Sequence, residues 1–504
     1  MRLPRASGIL LHPTSLPGPH GSGDLGPAAY HFVDWLVAAG QKLWQILPLA
    51  GVGPGNSPYM SRSAFAGNVL LIDLADLRER GWLDDDDLAG APGGNPHAVD
   101  FGAVVAWRHE RLARAAARFA ADAAAAEQQA DFAAFCREHA DWLDNHALFM
   151  TLAEEHPACE WSDWPVPLAQ REPAALAAAA ARHAARVAMH KFCQWRFFRQ
   201  WHKLKRYANE RGVGIVGDAP IFIAYHSAEV WARPELFELD ALGKPSVVAG
   251  VPPDAFSATG QLWGNPLYRW PAHAKEGFAW WVQRVRRTFE LVDMVRIDHF
   301  RGFAAYWEIP AGQPDATAGR WVPAPGRELF EAIERELGAL RIIAEDLGVI
   351  TPDVVALREA CGFPGMRILQ FAFGGSSGNA YLPHNHEPAT VVYTGTHDND
   401  TSRGWWERGA TEAERHHLRE LLATEGREVH WDLIRAAMAS VADTAIVPMQ
   451  DVLGLASEAR MNFPGQGDGW WRWRFSWQQV RPEHASRLAH LARLFRRDGT
   501  PMQG

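Results

Sequence analysis

Apolar residues along this chain gather into eight short runs, most of which stop at polar or glycine-rich turns. They are GILLHPTSL (8–16), KLWQILPL (42–49), VGIVGDAPIFI (213–223), DMVRIDHFRG (293–302), LRIIAEDLG (340–348), MRILQFAF (366–373), TVVYTGTHDND (390–400) and TAIVPMQDVLG (444–454). Between most of them lie stretches with helical spacing, such as GRELFEAIEREL (326–337) and TPDVVALREACG (351–362). Strands that alternate with helices build βαβ units and a parallel sheet. Near-continuous apolar runs suit strands buried on both faces. Eight of them predict an α/β fold, a closed (β/α)8 TIM barrel.

The runs are unevenly spaced, and the gaps predict two insertions. Residues 1–83 would carry the first two strands, and 84–210 a mainly helical insertion. After the turn-rich DLAGAPGGNPHA (87–98), that insertion is dominated by alanine, as in RLARAAARFAADAAAAEQQADFAAF (111–135). Alanine is the strongest helix former, so helices are expected there. The third strand occupies 211–223. A second insertion, 224–285, is rich in Pro, Gly and aromatics, as in VVAGVPPDAFSATGQLWGNPLYRW (247–270), and reads as irregular and loop-rich. Long irregular loops in compact proteins are usually functional, and 247–262 is the candidate for covering a site. Strands four to eight and a helix-like tail fill 286–504, with no C-terminal β-domain expected.

Composition narrows the function. The chain of 504 residues is 47% hydrophobic with a formal net charge of -9, which argues against nucleic acid as a partner and suits a neutral substrate. Basic runs such as HKLKRYANER (202–211) read as solvated helix faces. Cys136, Cys159, Cys193 and Cys361 lack CxxC spacing and read as reduced thiols. No stretch resembles a signal peptide or a membrane span, so a cytoplasmic protein without a membrane partner is expected, as a monomer or small homo-oligomer. The 23 Trp read mostly as core, with some free to stack on a flat ligand such as a pyranose ring.

The strand ends carry the candidate chemistry. In a parallel barrel these ends share one face, so acids distant in sequence can converge there. Asp298 ends the fourth run, Glu345 and Asp346 the fifth, and Asp398 and Asp400 the seventh. Side chains two apart on a strand share a face, so Arg296 and Asp298 should point the same way. An arginine beside a carboxylate favours its charged form, which suits a nucleophile. Glu345 follows Ile342, Ile343 and Ala344, and apolar surroundings with like charges nearby would raise its pKa, as a general acid requires. Asp346 should face the other way and hold a neighbouring loop or cap the next helix. Such acids suit glycoside chemistry, in which a retaining enzyme sets two carboxyl groups roughly 5–5.5 Å apart.

Each acid alone is more often a helix cap or an ion-pair partner than a catalyst. That reading weakens because three strand ends share the pattern. His299, His397, Asp398 and Asp400 also allow a metal-dependent barrel hydrolase, but no HxH pair sits on the first run and no lysine ends a central strand. No metal or cofactor is therefore expected. VGPGNSPY (52–59) lacks the phosphate-loop spacing, and the glycines of GVGIVG (212–217) precede or interrupt a strand instead of following it.

These segments together resemble the amylomaltases, or 4-alpha-glucanotransferases. SPYMSRSAFAGNVLLIDL (57–74), PDAFSATGQLWGNPLYRW (253–270), MVRIDHFRG (294–302), IIAEDLG (342–348), YTGTHDNDT (393–401) and SEARMNFPG (457–465) carry the likeness, which spans nearly the whole chain. The resemblance implies retaining transfer of an alpha-1,4-glucan segment, from maltooligosaccharides, starch or glycogen, to a sugar 4-hydroxyl. It implies Asp298 as nucleophile, Glu345 as acid/base and Asp398 as the acid that holds ring hydroxyls in the transition state. It further implies Tyr59, Asp218, Arg296, His299, His397, Trp263, Asn265, Phe371 and Asn462 as substrate-binding residues, with Tyr59 stacking on the donor sugar. Ala255 stands where the family usually has Tyr, and Met60 and His226 stand where Gln and Asp are expected. A retaining alpha-glucan hydrolase and a non-catalytic glucan-binding protein are the other readings.

Overall fold

The computed structural model describes residues 3, 5–253 and 257–499. Each of the eight apolar runs overlaps one strand: β1 (Ala6–Leu10), β2 (Leu43–Gln45), β3 (Gly214–Pro220), β4 (Met294–Asp298), β5 (Ile342–Ala344), β6 (Gly365–Ile368), β7 (Thr390–Tyr393) and β8 (Thr444–Pro448). They pair in parallel in the order β6-β7-β8-β1-β2-β3-β4-β5. The strands are shorter than their runs; in the second and sixth, apolar residues such as Ile46, Leu47 and Leu369 lie beyond the strand end.

The seam between β5 and β6 is closed by other means. The Ala344 N–H donates to the Pro364 carbonyl at 2.9 Å. The Met366 N–H donates to Asp346 Oδ1 at 2.7 Å. Arg358 and Arg367 lie 3.7 and 3.5 Å from the other Asp346 oxygen. Asp346 thus takes the neighbouring-segment role rather than capping a helix. A β-carbon at Gly365 would stand 2.3 Å from Asp346 Oδ2, so only glycine leaves room for this carboxylate.

At the barrel end away from the strand-end acids, Arg497 plugs the floor. It is fully buried and donates to the carbonyls of Ala6, Ala437, Met438, Ser440, Ala442 and Asp443 at 2.7–3.3 Å. These carbonyls surround the starts of β1 and β8; Ser440 and Ala442 also accept from Arg5 and Asp443 from the Ala6 N–H, so removing the guanidinium leaves chiefly the Ala437 and Met438 carbonyls short of a donor. Arg497→Met is expected to cost about 3 kcal/mol or more. A lowered thermal-inactivation midpoint with unchanged activity per folded molecule would show it.

Between β2 and β3 the chain forms long helices, chiefly Phe101–Ala121, Ala126–Glu138, Ala140–Glu155 and Ala184–Glu210. Their aromatic faces join the barrel core; Trp201, for example, donates its indole N–H to the Leu291 carbonyl at 2.8 Å. Arg108, fully buried, ties the first of these helices to the loop after β1 through Asp24 at 3.1 Å.

The segment expected to be irregular contains more order than its Pro and Gly content suggests. Val247–Val251 and Gln261–Pro266 are antiparallel strands. They extend into a four-stranded sheet with Ala305–Pro310 and Arg320–Pro323, which lie beyond β4. The ladder that orders them comes from residues about 60 positions away, a partner that local composition does not reveal. Trp263 on this sheet meets His299 edge-on at 4.8 Å, which places the sheet beside the strand-end acids. Most tryptophans are core, with Trp44, Trp82, Trp195, Trp201 and Trp231 fully buried. No helix among the described residues is long and apolar enough to cross a membrane.

Candidate active site

At the C-terminal end of β4, Arg296 and Asp298 face the same side, as strand periodicity requires. Arg296 forks between two acids. One terminal nitrogen donates to both oxygens of Asp218 at 2.9 and 2.8 Å, and the other donates to Asp298 Oδ1 at 2.9 Å. Burial works against the Arg296 charge, but Asp218 and Asp298 outweigh it and hold the guanidinium well above its usual range. Burial pushes Asp218 up to about 6 against the pull of Arg296, leaving it mostly ionised at neutral pH. The second arginine beside Asp298 in the sequence does not join it. His299 takes a left-handed φ of 52°, the chain turns out of β4, and Arg301 instead donates to the Val349 carbonyl and the Thr351 hydroxyl, both at 2.9 Å.

A continuous hydrogen-bonded circuit leads from this fork to β7. The Tyr59 hydroxyl donates to Asp218 Oδ2 at 2.9 Å. Its single proton is then committed, so the contact of 2.9 Å with His397 Nε2 requires the histidine to donate. The same nitrogen lies 3.3 Å from Asp398 Oδ2. Asn462 donates to the other Asp398 oxygen at 2.6 Å. The Tyr59 ring stacks on His397 at 5.4 Å and leans on Trp471 at 5.5 Å. Burial and the surrounding carboxylates keep the Tyr59 phenol well above its usual range, so it stays a donor.

Glu345 follows β5 and faces the same cluster. Its oxygens accept from the His299 and Leu347 backbone N–H groups, each at 2.8 Å. Burial pushes its pKa up to about 8; Arg296 and the Leu347 N–H pull down, while Asp298 and Asp346 push up. Glu345 is therefore mostly protonated at neutral pH, with both oxygens oriented by backbone. His299 is lowered to about 4, chiefly by burial, and stays neutral.

The remaining expected residues spread around this centre. Trp263 sets its ring edge-on against His299 at 4.8 Å. Asn265 is buried and donates to the Ile223 carbonyl at 3.0 Å and towards the Met60 sulfur at 3.5 Å, which anchors the loop after β3. Phe371 is half-exposed and rests edge-on against Tyr381, outside the circuit. Asp400, grouped with Asp398 at the sequence level, turns away to the Thr401 N–H and the Ser457 hydroxyl at 2.8 and 2.7 Å. His226 accepts from the Trp161 N–H at 3.1 Å, joining the helical insertion to the loop after β3. Ala255 lies outside the described residues. Among the described residues, no three His, Cys, Asp or Glu side chains are grouped so that they could hold a metal ion.

Two contributors escaped the sequence reading. Arg460 donates to the carbonyls of Asp398 and Asn462 at 2.6 and 2.7 Å and so fixes the loop that presents both. Trp471 walls the Tyr59–His397 stack. Arg460 acts on backbone oxygens, which leave no residue-type signature; only its place inside SEARMNFPG hinted at a role.

Comparison with known proteins identifies the family. A family profile described as 4-alpha-glucanotransferase matches residues 11–479. The chain is 52% identical over 501 residues to the 4-alpha-glucanotransferase of Thermus thermophilus, covering 98% of this chain and 99% of that one. It is 47% identical over 496 residues to the Synechocystis 4-alpha-glucanotransferase, covering 98% of each. Among solved structures, it is similar to the amylomaltase from Streptococcus agalactiae in complex with acarbose, with a TM-score of 0.94, 39% identity and coverage of 98% and 99%. The amylomaltase from Corynebacterium glutamicum shares the fold, with a TM-score of 0.78 at 18% identity, over 98% of this chain and 75% of that one. Full-length identity to curated relatives, a profile across nearly all of the chain and the matching barrel lead to one conclusion: the chain belongs to the 4-alpha-glucanotransferase family.

Proposed function

We propose that this 4-alpha-glucanotransferase works by retaining transglycosylation through a glycosyl-enzyme on Asp298. One observation carries the reading: the Arg296 fork holds the Asp298 carboxylate while burial keeps Glu345 protonated in the same cluster. A carboxyl group kept protonated beside one gripped by an arginine divides the pair into acid and nucleophile. Glu345 gives its proton to the glycosidic oxygen as Asp298 bonds to the anomeric carbon, and the reducing-end fragment leaves as an alcohol. Glu345, now a carboxylate, takes the proton from the 4-hydroxyl of an incoming sugar. That oxygen bonds to the anomeric carbon and Asp298 is released.

Asp398, held by His397 and Asn462, is placed to bind ring hydroxyls most tightly in the transition state. Tyr59 presents its ring beside His397 for the donor sugar, and Trp263 with His299 lines the other wall. The substrates are alpha-1,4-glucans: maltooligosaccharides and starch- or glycogen-derived chains. The acarbose bound by the Streptococcus agalactiae amylomaltase supports this class. The four free cysteines support a reducing, cytoplasmic setting.

Transfer and hydrolysis share these acids and differ in whether sugar or water meets the intermediate. The sheet beside the strand-end acids supports transfer, since a walled site excludes water. Purified protein incubated with maltotriose is expected to yield glucose and a ladder of longer maltooligosaccharides. Products that only shorten would establish a hydrolase instead.

A further inference from the structure

Trp321 is the most exposed of the 23 tryptophans, all of which lie among the described residues, at 37%. A single exposed apolar side chain is ordinary. Partial exposure alone does not set it apart, since Trp263, Trp406, Trp470 and Trp477 are partly buried too. Its setting is specific. It lies on the edge strand Arg320–Pro323 of the antiparallel sheet, directly opposite Trp307, whose ring meets it edge-on at 5.2 Å. Trp307 is itself fixed, donating its indole N–H to the Ala316 carbonyl at 2.9 Å. The Arg301 guanidinium lies over the Trp321 ring at 3.9 Å. The indole is therefore held in place before any ligand arrives, which lowers the ordering cost of binding.

Around it the surface alternates apolar and hydrogen-bonding groups. Val349, 61% exposed, belongs to the loop whose carbonyl Arg301 grips. Beside Trp321, Arg320 is 76% exposed and pairs with Glu308 at 2.7 Å. A flat indole with polar groups at its margin matches a sugar, whose C–H face is apolar and whose edge carries hydroxyls. The patch also continues the catalytic face. Arg301 is three residues past Asp298 and holds the loop that follows Glu345.

We propose that Trp321 is a stacking platform for an alpha-glucan chain, separate from the catalytic cluster, that holds long substrates beside the cleft. The proposal takes its ligand class from the transferase reading above. Short substrates do not reach the platform and long ones do. Electrophoresis through gels containing amylose, in an Asp298→Asn background that leaves the polymer intact, is expected to show Trp321→Ala retarded severalfold less than its parent. With Asp298 restored, KM for amylose is expected to rise about fivefold to tenfold, with maltotriose kinetics unchanged. Trp321→Phe, which keeps an aromatic face, is expected to fall between.

Unchanged retardation of Trp321→Ala would overturn the proposal. So would a maltotriose rate that falls in step with the amylose rate, since Trp321 would then act only by shielding Arg301. Retardation by amylose that depends on Trp321, together with a wild-type enzyme that makes no ladder from maltotriose, would sink the transfer reading and leave the platform standing.

Discussion

Asp298→Asn is expected to lower the rate of glucose release from maltotriose by about 10⁴-fold or more, on the scale seen when a covalent nucleophile is removed. The substitution is nearly isosteric. The Asn oxygen can still accept from Arg296, which at present donates to Asp298 Oδ1 at 2.9 Å. Arg296 also keeps both bonds to Asp218, so the fork stays closed and the fold intact. What disappears is the anion that bonds to the anomeric carbon. Circular dichroism and the thermal midpoint should match the parent while turnover collapses. The intermediate offers a direct check. Glu345→Gln incubated with an alpha-maltosyl fluoride should accumulate a glycosylated peptide containing Asp298, because fluoride leaves without a proton donor and the second step lacks its base. A label on any other carboxyl group would refute the assignment.

Glu345→Gln is expected to slow maltotriose turnover by roughly 10²–10⁴-fold, the usual contribution of a general acid/base. First-step loss should be much smaller on the fluoride. The pH dependence follows from the same residue. Wild-type activity needs protonated Glu345 and should fall as pH rises through about 8; the variant should lack that limb. Stability should fall with rising pH as well, beginning at a lower pH than the loss of activity. The folded pKa lies above the unfolded value of about 4.5, so the folded enzyme binds this proton more tightly. The resulting stabilisation is full below about 4.5 and is lost as pH rises through about 8. Gln is neutral throughout. The thermal midpoint of Glu345→Gln relative to wild type should therefore climb between those pH values and level off above them. A flat difference would show that burial does not perturb Glu345. A carboxyl group whose function needs burial costs stability at working pH, as strained active sites commonly do.

Much of this site is legible in the chain because strand geometry is local. Arg296 and Asp298 share a face by the period of two, and Glu345 and Asp346 part by the same rule. The apolar residues before Glu345 announce a buried carboxyl group. The fate of Arg301 is not legible, because one left-handed residue, His299, reverses where the next side chains point. Asp400 is two residues from Asp398, yet it is lost to Ser457 because the chain has left the strand and the period no longer applies. Arg460 acts on carbonyls, and carbonyls are the same at every position.

The eight strands, their order and the alanine-rich helices follow from patterns a few residues long, since apolar periodicity and helix propensity act between neighbours. The partners across space do not. Tyr59 meets Asp218 and His397 across 159 and 338 positions, and Asn462 meets Asp398 across 64. The antiparallel sheet beside the cleft, the seam closed by Asp346 and the floor sealed by Arg497 are long-range pairings of the same kind. They form where closing a distant loop satisfies groups that burial has stripped of water, and that balance exists only once the barrel has closed.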